Sequence, residues 1–212
     1  MLTKEFDLNQ HFPLIAIIRG VLPDDVIRIA DILVQEGFTM LEVPLNSPDA
    51  LDSISRLVKH FGDKYLIGAG TVTTPEQAKA VIETGANLVV TPNMNAQVIK
   101  MAVEAGCATF PGVVTPTEAF DALAAGATGL KLFPVTALGL DGFKALKSVA
   151  PKETLFFPVG GINPTEESMK PYVDAGAHGF GLGSALYKPS MTDDEVRNAA
   201  QQFVKAFNNC AQ

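Results

Sequence analysis

The sequence predicts an α/β protein built as a single (β/α)8 TIM barrel with a short N-terminal lead-in segment, and three observations carry that prediction. Short β-rich runs recur along the chain, each followed by a stretch with helical spacing. The runs are apolar on both faces, as parallel strands covered by helices must be. Their number is eight, and their starts stand 20 to 26 residues apart. An open doubly wound sheet is the alternative. Against it, Arg19-Gly20-Val21-Leu22-Pro23 after the first run lacks the glycine fingerprint of a dinucleotide turn.

In chain order the runs are Leu14–Gly20, Met40–Leu45, Leu66–Thr71, Leu88–Pro92, Ala108–Val113, Gly129–Pro134, Leu155–Gly161 and Gly179–Gly183. Gly37, Gly85, Gly106, Gly126 and Gly176 precede later runs, where a helix needs a left-handed C-terminal cap. Pro23-Asp24, Thr74-Pro75-Glu76, Thr115-Pro116 and Asn163-Pro164-Thr165 mark helix starts, by side-chain caps and first-turn prolines. Between them the spacing is helical, as in Val26, Ile29, Ala30, Leu33 and Val34. With no linker or low-complexity stretch, residues 1–212 are expected to form one domain, residues 1–12 being the lead-in.

Composition narrows the function. Charged residues are 18% of the 212, and 16 basic against 23 acidic side chains give a net charge of −7. That balance argues against a nucleic-acid or membrane-surface partner. The N-terminus carries acids and lacks the apolar stretch of a signal peptide, and no segment reaches membrane-spanning length. Cys107 and Cys210 are far apart, and His11, His60 and His178 are scattered, so no metal-ligand spacing exists. Cys107 is expected in the core and Cys210 in the tail. A cytoplasmic protein without metal or organic cofactor is the expectation.

Because charge is scarce, charge inside an apolar run is informative. Among twelve lysines only Lys131 lies within a run, in Gly129-Leu130-Lys131-Leu132-Phe133-Pro134. Such a lysine either snorkels to a rim or is an amine whose pKa burial depresses, making it a nucleophile toward carbonyl carbon. Among the acids only Glu42 occupies a run interior, as an ion-pair partner or as a general acid and base beside the amine. Arg19 ends the first run, where barrel enzymes keep their chemistry, and can clamp a carboxylate.

Glycine loops form a second constellation. Val159-Gly160-Gly161 ends the seventh run and Gly181-Leu182-Gly183-Ser184 the eighth, the usual place for phosphate in this fold. Gly68 and Gly70 after the third run make room, and Thr71 adds a hydroxyl. Together these groups suit a substrate with a ketone, a carboxylate and a distal phosphate, cleaved through an imine. A phosphate-binding isomerase or synthase would share the loops but need no buried lysine. A non-catalytic sugar-phosphate sensor would have no use for an intact Lys131 and Glu42.

Leu14-Ile15-Ala16-Ile17-Ile18-Arg19-Gly20, Leu41-Glu42-Val43-Pro44-Leu45-Asn46-Ser47-Pro48, Ile67-Gly68-Ala69-Gly70-Thr71-Val72, Thr91-Pro92-Asn93, Leu130-Lys131-Leu132-Phe133-Pro134 and Val159-Gly160-Gly161, in this order across nearly the whole chain, resemble the KDPG/KHG aldolase family. The resemblance implies a class I aldolase acting on a phosphorylated 2-keto-3-deoxy sugar acid, as a homotrimer without metal or cofactor. It implies Lys131 as the imine-forming residue and Glu42 as the proton shuttle. It implies Arg19 and Thr71 at the carboxylate, and Gly160, Gly161, Gly183 and Ser184 at the phosphate with Gly181 nearby. In the family's gluconate-specific branch an arginine and a threonine occupy the positions of Asn46 and Val159. The residues here match the galactonate branch, and Val159 lacks a hydroxyl that could favour one C4 epimer.

Overall fold

The computed structural model describes residues 7–211. The part of the lead-in that falls on residues 1–6 lies outside the described residues. Within the remainder, Leu8–Gln10 forms one 3-10 turn, capped by the Asp7 side chain. Nine parallel strands follow: β1 Leu14–Ile17, β2 Met40–Pro44, β3 Leu66–Gly70, β4 Leu88–Val90, β5 Ala108–Phe110, β6 Gly112–Val113, β7 Leu130–Leu132, β8 Phe156–Pro158 and β9 Phe180–Leu182. They alternate with α1 Val26–Gln35, α2 Ala50–Phe61, α3 Pro75–Glu83, α4 Ala96–Glu104, α5 Pro116–Ala124, α6 Val135–Val149, α7 Glu166–Asp174 and α8 Asp193–Cys210.

The fold is thus α/β with a parallel sheet. Its strands form a six-stranded ladder, β5-β4-β3-β2-β1-β9, and a three-stranded one, β6-β7-β8. The predicted fifth run is two strands because Pro111 interrupts it. A proline has no N–H to give the ladder, though its carbonyl still accepts from Lys131 at 2.9 Å. At the other junction an isolated parallel bridge pairs Val159 with Gly181.

Other boundaries also shift. β1 stops at Ile17, so Arg19 sits in the following turn rather than at the strand's last position. β8 stops at Pro158, because Gly160 and Gly161 both turn to positive φ. The five expected C-cap glycines all adopt positive φ, between 82° and 103°. Thr74 and Thr115 form complete capping boxes with Gln77 and Glu118. α1 begins at Val26 after Asp25, one residue beyond the predicted cap, without a side-chain cap bond. Cys210 is not in a loose tail: it ends α8 and is buried. Cys107 is buried as expected, donates to the Ala86 carbonyl, and burial pushes its thiol up to about 11.

Alternation along the strands sorts the core into two layers. Leu14, Ala16, Leu41, Val43, Leu130 and Leu132 face the helices. Ile15, Met40, Leu88, Val90, Phe110 and Phe157 pack together on the inner face, with the Phe110 and Phe157 rings 4.9 Å apart. Glu42 is two residues after Met40, and Lys131 lies between two helix-facing leucines, so parity places both on the inner face. The inner face is also crowded: a Cβ on Gly68 would stand 1.7 Å from the Leu88 carbonyl oxygen, whereas one on Gly183 would meet nothing within 4 Å. Gly68→Ala is therefore expected to destabilise the protein by about 3 kcal/mol or to prevent folding. Gly183→Ala should cost under about 1 kcal/mol. Urea unfolding of the two variants checks the contrast; equal losses would contradict it.

Candidate active site

A cavity of about 400 Å³ opens at the end of the strands from which the chain leaves toward the helices. Its wall includes Arg19, Thr71, Lys131, Val159, Gly160, Gly161, Gly183 and Ser184. The sequence reading chose all eight. The wall bears three cations, Arg19, Lys131 and Lys188, and no carboxylate. In a chain of net charge −7 that concentration suits an anionic ligand.

Glu42 lies behind this wall rather than on it. It is 2% exposed and in register with Ile17 of β1 and Gly68 of β3. Space for its carboxyl exists because Gly70 has no side chain: a Cβ there would stand 2.0 Å from Oε2. The glycine's role in the third run is therefore to make room. Glu42 Oε2 is buried and has no hydrogen-bond partner among the described residues. Burial raises the Glu42 pKa to about 7 against the pull of Lys131, Arg19 and the Gly70 backbone. Lys131, 7% exposed, has its pKa lowered by burial, a shift that Glu42 opposes and Arg19 reinforces. Its ammonium position lies 4.5 Å from the centre of the Phe133 ring. The three charges singled out in the sequence thus act on one another, with Arg19 in the turn after β1 and no contact ion pair among them.

Two loops at this end are stitched together. The Arg19 guanidinium donates to the Asn46 side-chain oxygen, and the Gly20 N–H donates to Ser47 Oγ at 2.9 Å. Asn46 is exposed and is not part of the cavity wall; it touches Arg19 instead. Thr71 holds a φ of +60°, an outlier for a β-branched residue, directly after Gly70. On the far loops, the N–H groups of Gly161, Ser184 and Ala185 donate to no other described group. Gly181 lies in β9, within the predicted eighth run but off the wall, where a Cβ would stand 2.6 Å from Val159 Cγ2. Its small size seats Val159. Sequence reasoning missed Phe133, Asn163 and Lys188 on the wall. For Phe133 the signal was available, since residues two apart in a strand share a face.

A family model described as KDPG and KHG aldolase matches residues 7–202. The chain belongs to this aldolase family. It is 46% identical over 200 residues to the 2-dehydro-3-deoxy-6-phosphogalactonate aldolase of Escherichia coli K12, covering 94% of this chain and 97% of that protein. A solved structure described as native KDPGal superposes with a TM-score of 0.92 at 45% identity, covering 95% of this chain and 97% of that one. A KDPG aldolase from Legionella pneumophila, solved with pyruvate as a covalent carbinolamine intermediate, superposes with a TM-score of 0.74 at 28% identity, covering 94% and 92%. This family member is accordingly an aldolase, a carbon–carbon lyase.

The buried carboxyl makes stability pH-dependent. Glu42 keeps its proton to about pH 7 in the fold, against the ordinary 4.5 of a free glutamate, so the folded state binds more protons between these pH values. Its favourable contribution is present below about pH 4.5 and lost as pH rises through about 7. Glu42→Gln is expected to remove most of that loss, on the order of 3 kcal/mol. Urea unfolding across this pH range reads it; an unchanged slope would mean that Glu42 titrates as in the open chain.

Proposed function

We propose that this aldolase cleaves 2-dehydro-3-deoxy-6-phosphogalactonate to pyruvate and D-glyceraldehyde 3-phosphate through an imine on Lys131. The observation that carries this reading is a buried lysine facing an acid-free, cation-lined cavity with a buried carboxyl behind it. Arg19 and Thr71 would take the carboxylate end of the substrate. The free N–H groups of Gly161, Ser184 and Ala185, beside Gly160 and Gly183, would take the phosphate.

The neutral Lys131 amine attacks the C2 ketone carbon, and the C=O electrons move to oxygen, which takes a proton. Loss of water from the carbinolamine gives a protonated imine. Glu42, as carboxylate, accepts the C4 hydroxyl proton. The C3–C4 bond breaks, its electrons flow to the imine carbon–nitrogen system to form an enamine, and the aldehyde leaves. Glu42, now protonated, returns the proton to C3 and restores the imine, which water hydrolyses to pyruvate and free amine. A carboxyl titrating near neutrality suits both directions of transfer.

The galactonate-derived epimer is favoured by the close relation to the E. coli enzyme and by Val159, which puts no hydroxyl on the wall. We further read the two ladders as one closed ring of eight strands, joined through Pro111 and the Val159–Gly181 bridge, and the chain as one domain. The homotrimer is retained as part of the proposal, supported by Phe120 and Val149, large apolar side chains left on the outer surface. A cytoplasmic location accords with two unpaired cysteines. Among the described residues no helix is long and apolar enough to cross a membrane.

Incubation with pyruvate and borohydride should fix an adduct on Lys131, located by peptide mass; no adduct there would overturn the mechanism. Glu42→Gln should still form the adduct while kcat falls by roughly 10²- to 10⁴-fold. An unchanged kcat would remove Glu42 from proton transfer. Val159→Thr should move the ratio of kcat/KM for the two C4 epimers toward the gluconate-derived one by about tenfold. A constant ratio would show that this position does not discriminate.

A further inference from the structure

We propose that Phe133 is a positioning residue whose ring face holds the Lys131 nitrogen in its charged states, first as ammonium and then as protonated imine. This rests on the imine reading above and adds a residue to it. The nitrogen lies 4.5 Å from the ring centre, within the distance at which an aromatic face attracts a cation. The described ion pairs do not include Lys131, so no carboxylate oxygen stands within 4.0 Å of its nitrogen. Glu42 acts on it from β2 at longer range, Arg19 opposes its charge from the β1–α1 loop, and Lys188 is a further cation on the cavity wall. The ring is the immediate electron-rich partner of a 7% exposed amine.

The ring is also held in place. Phe133 follows Lys131 by two residues, and both line the cavity. Gly160 lies against it: a Cβ there would stand 3.8 Å from ring atoms Cδ2 and Cε2. The chemistry passes through states in which this nitrogen is positive, the resting ammonium and the protonated imine. It also passes through neutral ones, the free amine, carbinolamine and enamine. A π face favours the positive states alone. It therefore keeps more of the resting amine protonated, and it also deepens the electron sink that drives C–C cleavage. Weakening the ring should lower the amine's titration midpoint while slowing turnover. Simple loss of packing predicts no such pairing.

The test replaces Phe133 with phenylalanines of increasing fluorination, which keep the ring's shape and progressively cancel its negative face, and with Leu as a second variant. Lysines labelled with ¹³C at Cε report the Lys131 midpoint by NMR in the ligand-free protein, the signal being assigned by its loss in Lys131→Met. The midpoint is expected to fall stepwise with fluorination, by about 0.5 to 1 pH unit in total. kcat should fall about three- to tenfold, and Phe133→Tyr should retain both properties. A midpoint that does not move along the series would overturn the proposal. The NMR readout needs no substrate, so failure of borohydride trapping on the unaltered protein would reject the imine reading separately.

Discussion

The burial of two opposite charges on the inner face of a parallel sheet, close enough to sense each other and too far apart to form a contact ion pair, governs this molecule. Either charge alone would be expensive there, because a low-dielectric interior penalises an isolated ion by several kcal/mol. A direct salt bridge would relieve the cost but would fix Lys131 as ammonium and Glu42 as carboxylate. The arrangement seen does neither. Burial wins over mutual attraction at both groups, so the acid is pulled up and the base down. Their proton affinities are thus drawn toward each other, and that of Glu42 reaches about 7.

Much of the surrounding structure serves that spacing. Gly70 is bare so that the Glu42 carboxyl can occupy the space its side chain would fill. Gly181 is bare so that Val159 can lie against β9. The carbonyl of Pro111 receives the Lys131 N–H, anchoring the backbone that carries the amine across the interruption in its neighbouring strand. Arg19 donates to Asn46, so the asparagine stands against the guanidinium and off the cavity wall. A change at residue 46 would therefore reach the cavity through the aim of a guanidinium.

What the sequence disclosed, and what it withheld, follows from these same distances. The runs, the capping threonines and glycines and the strand-borne charges Glu42 and Lys131 were legible because they depend on period-two and period-3.6 patterns and on rules local to a few residues. Lys131 and Glu42 stood out because apolar runs rarely carry charge. The contact of Gly181 with Val159 was not legible, since a glycine that makes a turn and one that makes room are the same letter. Nor was the break at Pro111, which shows only once the neighbouring strand's donors are paired. Asn46 could be noticed as a substitution within a family pattern, but its partner lies 27 residues away and is found only by folding the loops together.

The charge distribution gives the arrangement its last physical sense. A protein of net charge −7 would repel a phosphorylated sugar acid if its charges acted together from afar. At physiological salt they do not, since exposed charges are screened beyond about 8 Å. The ligand feels the wall it approaches, and there Arg19, Lys131 and Lys188 are unaccompanied by any carboxylate, while Glu42 is set behind the surface. Setting Glu42 in the space left by Gly70 thus does two things at once. It raises the pKa of the carboxyl, and it keeps a negative charge off the cation-lined surface.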